Sequence, residues 1–268
     1  MADPSAATTI SRTGDPGHPG GDPGHPGGGS VDDHPAAESP GRPAGSGPER
    51  RTRWWRRPWI GPLAVVAVVF VAFSLPPYLS LDPARSRIPN PPDLSWYHPM
   101  LVVHVIFGAV ALLTCCLQVW PRFRRRYPVA HRRIGRVYVF AGVLPAVAVG
   151  LPLGAVSPFG PVARVSNVLM ASLWLLCTVA GYRAARQRRY ADHRRWMVRS
   201  FALTTSIITN RVWGAVWTIG LWPQLDTTFG GDEDRLVQTV AGITTWLGWV
   251  LPLLIAQWWL DRTSTSRR

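Results

Sequence analysis

Six apolar stretches, each long enough to cross a bilayer, leave this chain few ways to fold. A hydrocarbon core of about 30 Å needs roughly 20 apolar residues at about 1.5 Å of helix rise each. The stretches lie near 59–80, 98–120, 134–156, 165–183, 196–222 and 236–260. Lipid offers no hydrogen-bond partners to a bare backbone, so runs of this length and composition read as helices. The expected fold is an all-α integral membrane protein, a six-transmembrane-helix bundle. Pro76, Pro77, Pro145, Pro152 and Pro252 fall inside or beside the runs, where neighbouring helices can re-satisfy the carbonyls that a proline frees. Composition agrees. Only 16% of residues are charged, against about 25% in ordinary globular proteins. The 14 tryptophans gather near the ends of the runs, as they do at membrane interfaces.

Three regions are expected. Residues 1–53 are a Pro/Gly-rich cytoplasmic tail with too few large apolar side chains to offset the entropy of ordering. Within it a tandem GDPGHPG at 14–20 and 21–27 is a low-complexity duplication, and His18, His25 and His34 read as parts of a solvated linker. No apolar core of a cleavable signal peptide occurs near the start. Residues 54–262 form the six-helix domain, and 263–268 a short cytoplasmic tail.

Orientation follows from arginine, which supplies all 29 basic residues. The net charge of +14 invites a nucleic-acid reading, but its distribution excludes one, because the arginines sit in blocks between apolar runs. One block, Arg50 to Arg57, precedes the first run; another, Arg122 to Arg136, surrounds the second connection. A third, Arg183 to Arg199, surrounds the fourth, and Arg262, Arg267 and Arg268 follow the last run. The opposite connections carry only Arg85, Arg87, Arg164 and Arg235. With an even number of crossings, the positive-inside rule places both termini in the cytoplasm of a protein of the inner (plasma) membrane.

Ionisable residues at membrane depth are few, cost about 2.5–3.5 kcal/mol at a helix centre, and usually face the bundle interior. His104 shares a helix face with Gly108, Ala111, Cys115 and Gln118, a small and polar stripe that suits close packing. It reads equally as a ligand or proton-handling group and as a buried histidine bonded to a neighbouring helix. Asn210 and Arg211 lie in the most polar run, downstream of Ser200, Thr204, Thr205, Ser206 and Thr209. Arg211 is either a fixed cation for an anionic group or an arginine that snorkels outward. His131 and His193 form a matched pair, each followed by two arginines, with Arg136 and Arg199 further on. A weak parallel repeat would set both imidazoles at one depth, able to ligate one haem iron; interfacial contact with anionic headgroups is the plainer alternative. His104 lies on the order of 20 Å from that pair by helix rise and cannot share its metal. Met170 is at a depth to partner His104, although a methionine in an apolar run is usually packing. Cys115, Cys116 and Cys177 have no metal or disulfide spacing and read as buried small residues.

The string His104-Val-Ile-Phe-Gly108, Gln118, His131-Arg-Arg-Ile-Gly135-Arg136-Val-Tyr138, Asp192-His193-Arg-Arg-Trp196-Met197-Val-Arg199 and Arg211 resembles domain-of-unknown-function family 2306, uncharacterised bacterial multi-pass membrane proteins. The likeness spans about 98–222. One departure is Thr114-Cys115-Cys116, where a glycine is common. The resemblance implies a multi-pass fold with His104, His131, His193, Arg199 and Arg211 at characteristic positions, and no established activity. From the residues, the expected function is a b-type-haem membrane redox protein. His131 and His193 would be its metal ligands, while His104, Arg199, Asn210 and Arg211 would be cofactor-binding. Expected partners are the lipid bilayer and a quinone or redox partner, with no nucleic acid. The alternatives are a small-molecule transporter or permease, and a non-catalytic membrane scaffold or sensor.

Overall fold

A computed structural model describes residues 59–265. The expected N-terminal tail, its first arginine block and the last three residues lie outside the described residues. Every regular element among the described residues is helical: α1 (Ile60–Ser74), α2 (Pro76–Leu79), α3 (Tyr97–Gln118), α4 (Pro121–Arg126), α5 (Pro128–Tyr138), α6 (Leu144–Ala155), α7 (Gly160–Arg186), α8 (Tyr190–Leu221) and α9 (Glu233–Thr265). Short 3₁₀ turns lie at Pro83–Arg85 and Trp222–Gln224.

Four helices are by themselves long and apolar enough to cross a membrane: Tyr97–Gln118, Pro128–Ala155, Gly160–Arg186 and Glu233–Thr263. The other two expected spans differ for separate reasons. The run near 59–80 is divided: α1 has 15 residues, about 22 Å of helix, and α2 adds four beyond Leu75. Pro76 and Pro77 divide it, because neither has an N–H to carry the ladder across. The run near 196–222 lies within α8, whose 32 residues are more than long enough. Its two arginines and row of Ser, Thr and Asn keep it too polar to qualify by composition.

Large apolar side chains are exposed along every long helix, among them Val69, Ile106, Leu169, Ile219 and Ile255. Water would not tolerate such an all-round apolar surface, whereas acyl chains match it.

α5 and α6 are one helix joined by a π-helical turn, Val139–Val143. Pro145 explains the turn. It cannot donate to the carbonyl of Ala141 and its ring crowds that group, so the ladder widens by a residue. The helix therefore continues and does not break.

Side-chain bonds fix the packing register. α3 runs antiparallel to α5–α6: Gln118 Nε2 donates to the His131 carbonyl at 3.2 Å, and near the other end His104 meets the Ala146 carbonyl. Between them a Cβ on Gly142 would lie 3.0 Å from the Ala111 backbone, so only glycine permits this approach. α7 runs antiparallel to α8, through Thr178–Ser200 and Trp174–Thr204. α8 runs antiparallel to α9, through Thr209 to the Gly248 carbonyl and Arg199 to Gln257. The core between them holds Ala111, Leu112, Cys115, Tyr138, Val143, Trp174, Cys177, Leu203 and Trp249. Cys115, Cys116 and Cys177 are buried free thiols. In this alternation, the α3–α5 connection and the α7–α8 turn lie at the same end, hereafter the arginine-rich end.

That α7–α8 turn is tight. Arg189 N–H donates to the Ala184 carbonyl and Arg188 N–H to the Ala185 carbonyl, with Arg188 at φ 59°. This is a Schellman cap with arginine where glycine is usual.

Candidate functional site

His193 lies in the first turn of α8 and reaches α7. Its Nδ1 is 2.8 Å from the Gly181 carbonyl oxygen. A carbonyl can only accept, so Nδ1 carries the hydrogen and Nε2 keeps its lone pair. That tautomer, fixed by a backbone carbonyl, is the form in which histidine ligates metals. Gly181 makes the approach possible: a Cβ there would lie 2.7 Å from Met197 Sδ.

His131 lies in the first turn of α5, half-buried, with Nδ1 enclosed and unpartnered. It is close enough to His193 for the two imidazoles to interact electrostatically, and Arg124 and Arg132 are within the same range. Gln118 holds the backbone of this turn and packs against Gly135.

What levels the two histidines is a bond two turns away. Tyr138 follows His131 by seven residues and Ser200 follows His193 by seven, so each pair shares a helix face. Tyr138 Oη is 2.6 Å from Ser200 Oγ and 2.7 Å from Thr204 Oγ1. Trp174 Nε1 donates to Thr204 at 2.9 Å, and Thr178 bonds Ser200 at 2.7 Å. All five residues are buried, so α5, α7 and α8 are tied by one closed polar network. The parallel α5 and α8 are thereby tied to each other two turns beyond the two histidines.

The other expected residues are placed as follows. Arg199 donates from Nε and Nη2 to Gln257 Oε1 at 3.1 and 2.8 Å, and Gln257 Nε2 donates to Asp261. Its guanidinium also lies 4.9 Å from the Trp196 ring centre. Arg199 thus joins α8 to α9 about 9 Å along the helix from His193. His104 Nδ1 donates to the Ala146 carbonyl at 2.9 Å, and a Cβ on Gly150 would lie 2.8 Å from its ring. It stands about 21 Å by helix rise from the level of Gln118 and His131. Asn210 packs against Gly248. Arg211 is exposed, some 27 Å of helix rise along α8 from His193. The structure therefore brings His131 and His193 together and leaves His104, Asn210 and Arg211 apart from them. Among the described residues no three His, Cys, Asp or Glu side chains converge as a metal site.

Two features escaped the sequence reading. Tyr138, Trp174 and Thr178 belong to the network at the centre of the bundle; the repeated spacing of seven after each histidine was the available signal. His98, 8% exposed, has both ring nitrogens unpartnered beside Tyr97 and Leu101. Its spacing of six from His104 set it on a different helix face and said nothing of its burial.

The family model described as a predicted membrane protein, domain of unknown function 2306, matches residues 101–260, more than half of the chain. The chain belongs to this family. The family region opens at Leu101, in the second turn of α3, and closes at Leu260 in α9. It contains both paired histidines, their levelling network and Arg199 with Gln257. It extends past the 98–222 stretch that carried the resemblance, and leaves α1, α2 and His98 outside. No curated protein and no solved structure matches the chain.

Proposed function

We propose that this family member is a six-span protein of the inner membrane, a b-type-haem redox protein in which His131 and His193 are the axial ligands. The observation that carries the reading is the pair itself: two imidazoles from parallel helices, at one height, one with its tautomer set for ligation and the other with an unpartnered nitrogen. Arg124 and Arg132 beside them suit the carboxylates of a porphyrin. Haem so bound supplies a one-electron couple, whose potential its surroundings tune. The residues hold and orient. Gly181 fixes the His193 ring, the Tyr138–Ser200 bond sets the spacing, and Arg199 anchors the helix that carries His193 to α9.

The six-span count is part of the same proposal. α8 lies between α7 and α9 and bonds to both, so it must run through the bilayer with them, its hydroxyls facing inward to partners. α1 with α2 reaches about 30 Å, the hydrocarbon thickness. With every arginine-rich connection at one end, both termini are cytoplasmic, and 1–53 and 263–268 flank a 54–262 bundle. The hydroxyls of α8 are bonded to Tyr138, to Thr178 and to backbone carbonyls, which leaves them no free donors for a substrate path; this supports redox over transport.

The test is spectroscopic. Protein expressed with haem supplied in excess, then purified in detergent, should give a Soret band and a sharp α band on dithionite reduction. Absence of any haem absorbance under full loading overturns the reading.

A further inference from the structure

We propose that the elbow between α4 and α5 is a binding site for an anionic phospholipid of the leaflet facing the arginine-rich end. A groove of about 520 Å³ opens there, lined by Arg126, Tyr127, Pro128, Val129, Arg133 and Ile134 among others. Its chemistry is divided in the way a phospholipid is divided. Arg126 and Arg133 are exposed and make no ion pair or hydrogen bond among the described residues. Val129, 50% exposed, and Ile134 give the same groove an apolar lining. Two guanidinium groups on one groove match a phosphodiester, which they bind with paired N–H donors.

Depth selects a lipid over a soluble anion. The groove lies where α3 has ended and the span Pro128–Ala155 begins, at headgroup level. α4 carries an aromatic row beside it: Trp120 stacks on Phe123 at 6.5 Å between centres, and Phe123 meets Tyr127 at 5.9 Å. Such rows sit at the membrane–water boundary. A phosphate there is reached with its acyl chains pointing down the exposed apolar side of α5, where Val137 and Phe140 are also open. The site does not depend on haem, since the groove is built by residues other than the paired histidines.

The experiment compares two pairs of equal charge loss in the full-length protein. Binding of short-chain phosphatidylglycerol and phosphatidylcholine to detergent-solubilised protein is measured by native mass spectrometry. Wild type should prefer phosphatidylglycerol. R126Q/R133Q should weaken that binding about 25-fold, at about fivefold per arginine. R186Q/R188Q removes two exposed charges from the same end outside the groove and should change it less than about twofold. Equal losses in both pairs would mean diffuse charge and no site. Equal binding of the two lipids would overturn the anionic assignment. Full competition by inorganic phosphate would overturn the lipid assignment in favour of a free anion. Melting curves of both variants should coincide with wild type, because neither pair makes internal bonds.

Discussion

His193 and His104 are held in the same way and are placed in different company. Each donates Nδ1–H to a backbone carbonyl of a neighbouring helix, at 2.8 and 2.9 Å, and each depends on a glycine that admits the helix contact. At the arginine-rich end, His193 has a second imidazole, His131, within electrostatic range. In the other half of the bundle, His104 has apolar surroundings and no such partner. A carbonyl-bonded histidine is therefore an ordinary way to satisfy a buried ring in lipid. The second group at equal depth turns that packing solution into a candidate ligand set.

The sharpest test of the contrast is truncation. His193→Ala and His131→Ala should each abolish the haem absorbance of loaded protein, whereas His104→Ala should retain it. A spectrum that survives both inner substitutions would remove the ligand assignment and leave the rest of the fold standing.

Glycine substitutions probe the same pair of sites through packing. Gly150→Ala drives a Cβ into a ring that a hydrogen bond holds in place, and should cost about 1–3 kcal/mol in denaturant titration. Gly181→Ala meets the end of the flexible Met197 side chain. It should cost less, roughly 1 kcal/mol or below. Reversal of that order would mean that His104 is the looser of the two rings.

The turn before His193 carries backbone strain at Arg188, as Leu81 does at the other end. Arg188→Gly should relieve the left-handed backbone and stabilise by about 1 kcal/mol, read as a raised melting temperature. Smallest is Tyr138→Phe. Hydrogen bonds between membrane helices average about 0.6 kcal/mol, so stability should fall by about that much. The haem band of loaded protein should shift or broaden, because the levelling bond is gone. An unchanged band would show that packing alone, without the Tyr138 bond, keeps α5 and α8 in step.

Much of this was legible beforehand, and the exceptions have causes. The apolar runs located the long helices, and the arginine blocks grouped the two histidine-bearing connections at one end. The small-residue stripe of α3 turned His104, Ala111, Cys115 and Gln118 toward a neighbour, but Gly108 in the same stripe has open space beside it. α1 fell short because two consecutive prolines interrupt its ladder. Arg211 was readable for depth alone: seven residues after Thr204 it shares that helix face, yet it is exposed, so its exposure depends on what packs beside α8 at that level. His98 was readable only as lying on a different helix face from His104, six residues on; a lone histidine at a helix start carries no pattern that shows its burial.

Sequence alone determined an axial coordinate for this protein: where the four long apolar helices lie, how far along its helix each ionisable group sits, and which connections share an end. Those properties follow from hydropathy and charge summed along one helix at a time, which need no knowledge of neighbours. The tertiary structure decided the angular coordinate. Which histidine meets another, which one meets only a carbonyl, and whether an arginine faces core or surface depend on contacts of about 3 Å between helices far apart in the chain. Rotating a helix about its axis leaves every depth unchanged, so only packing could choose.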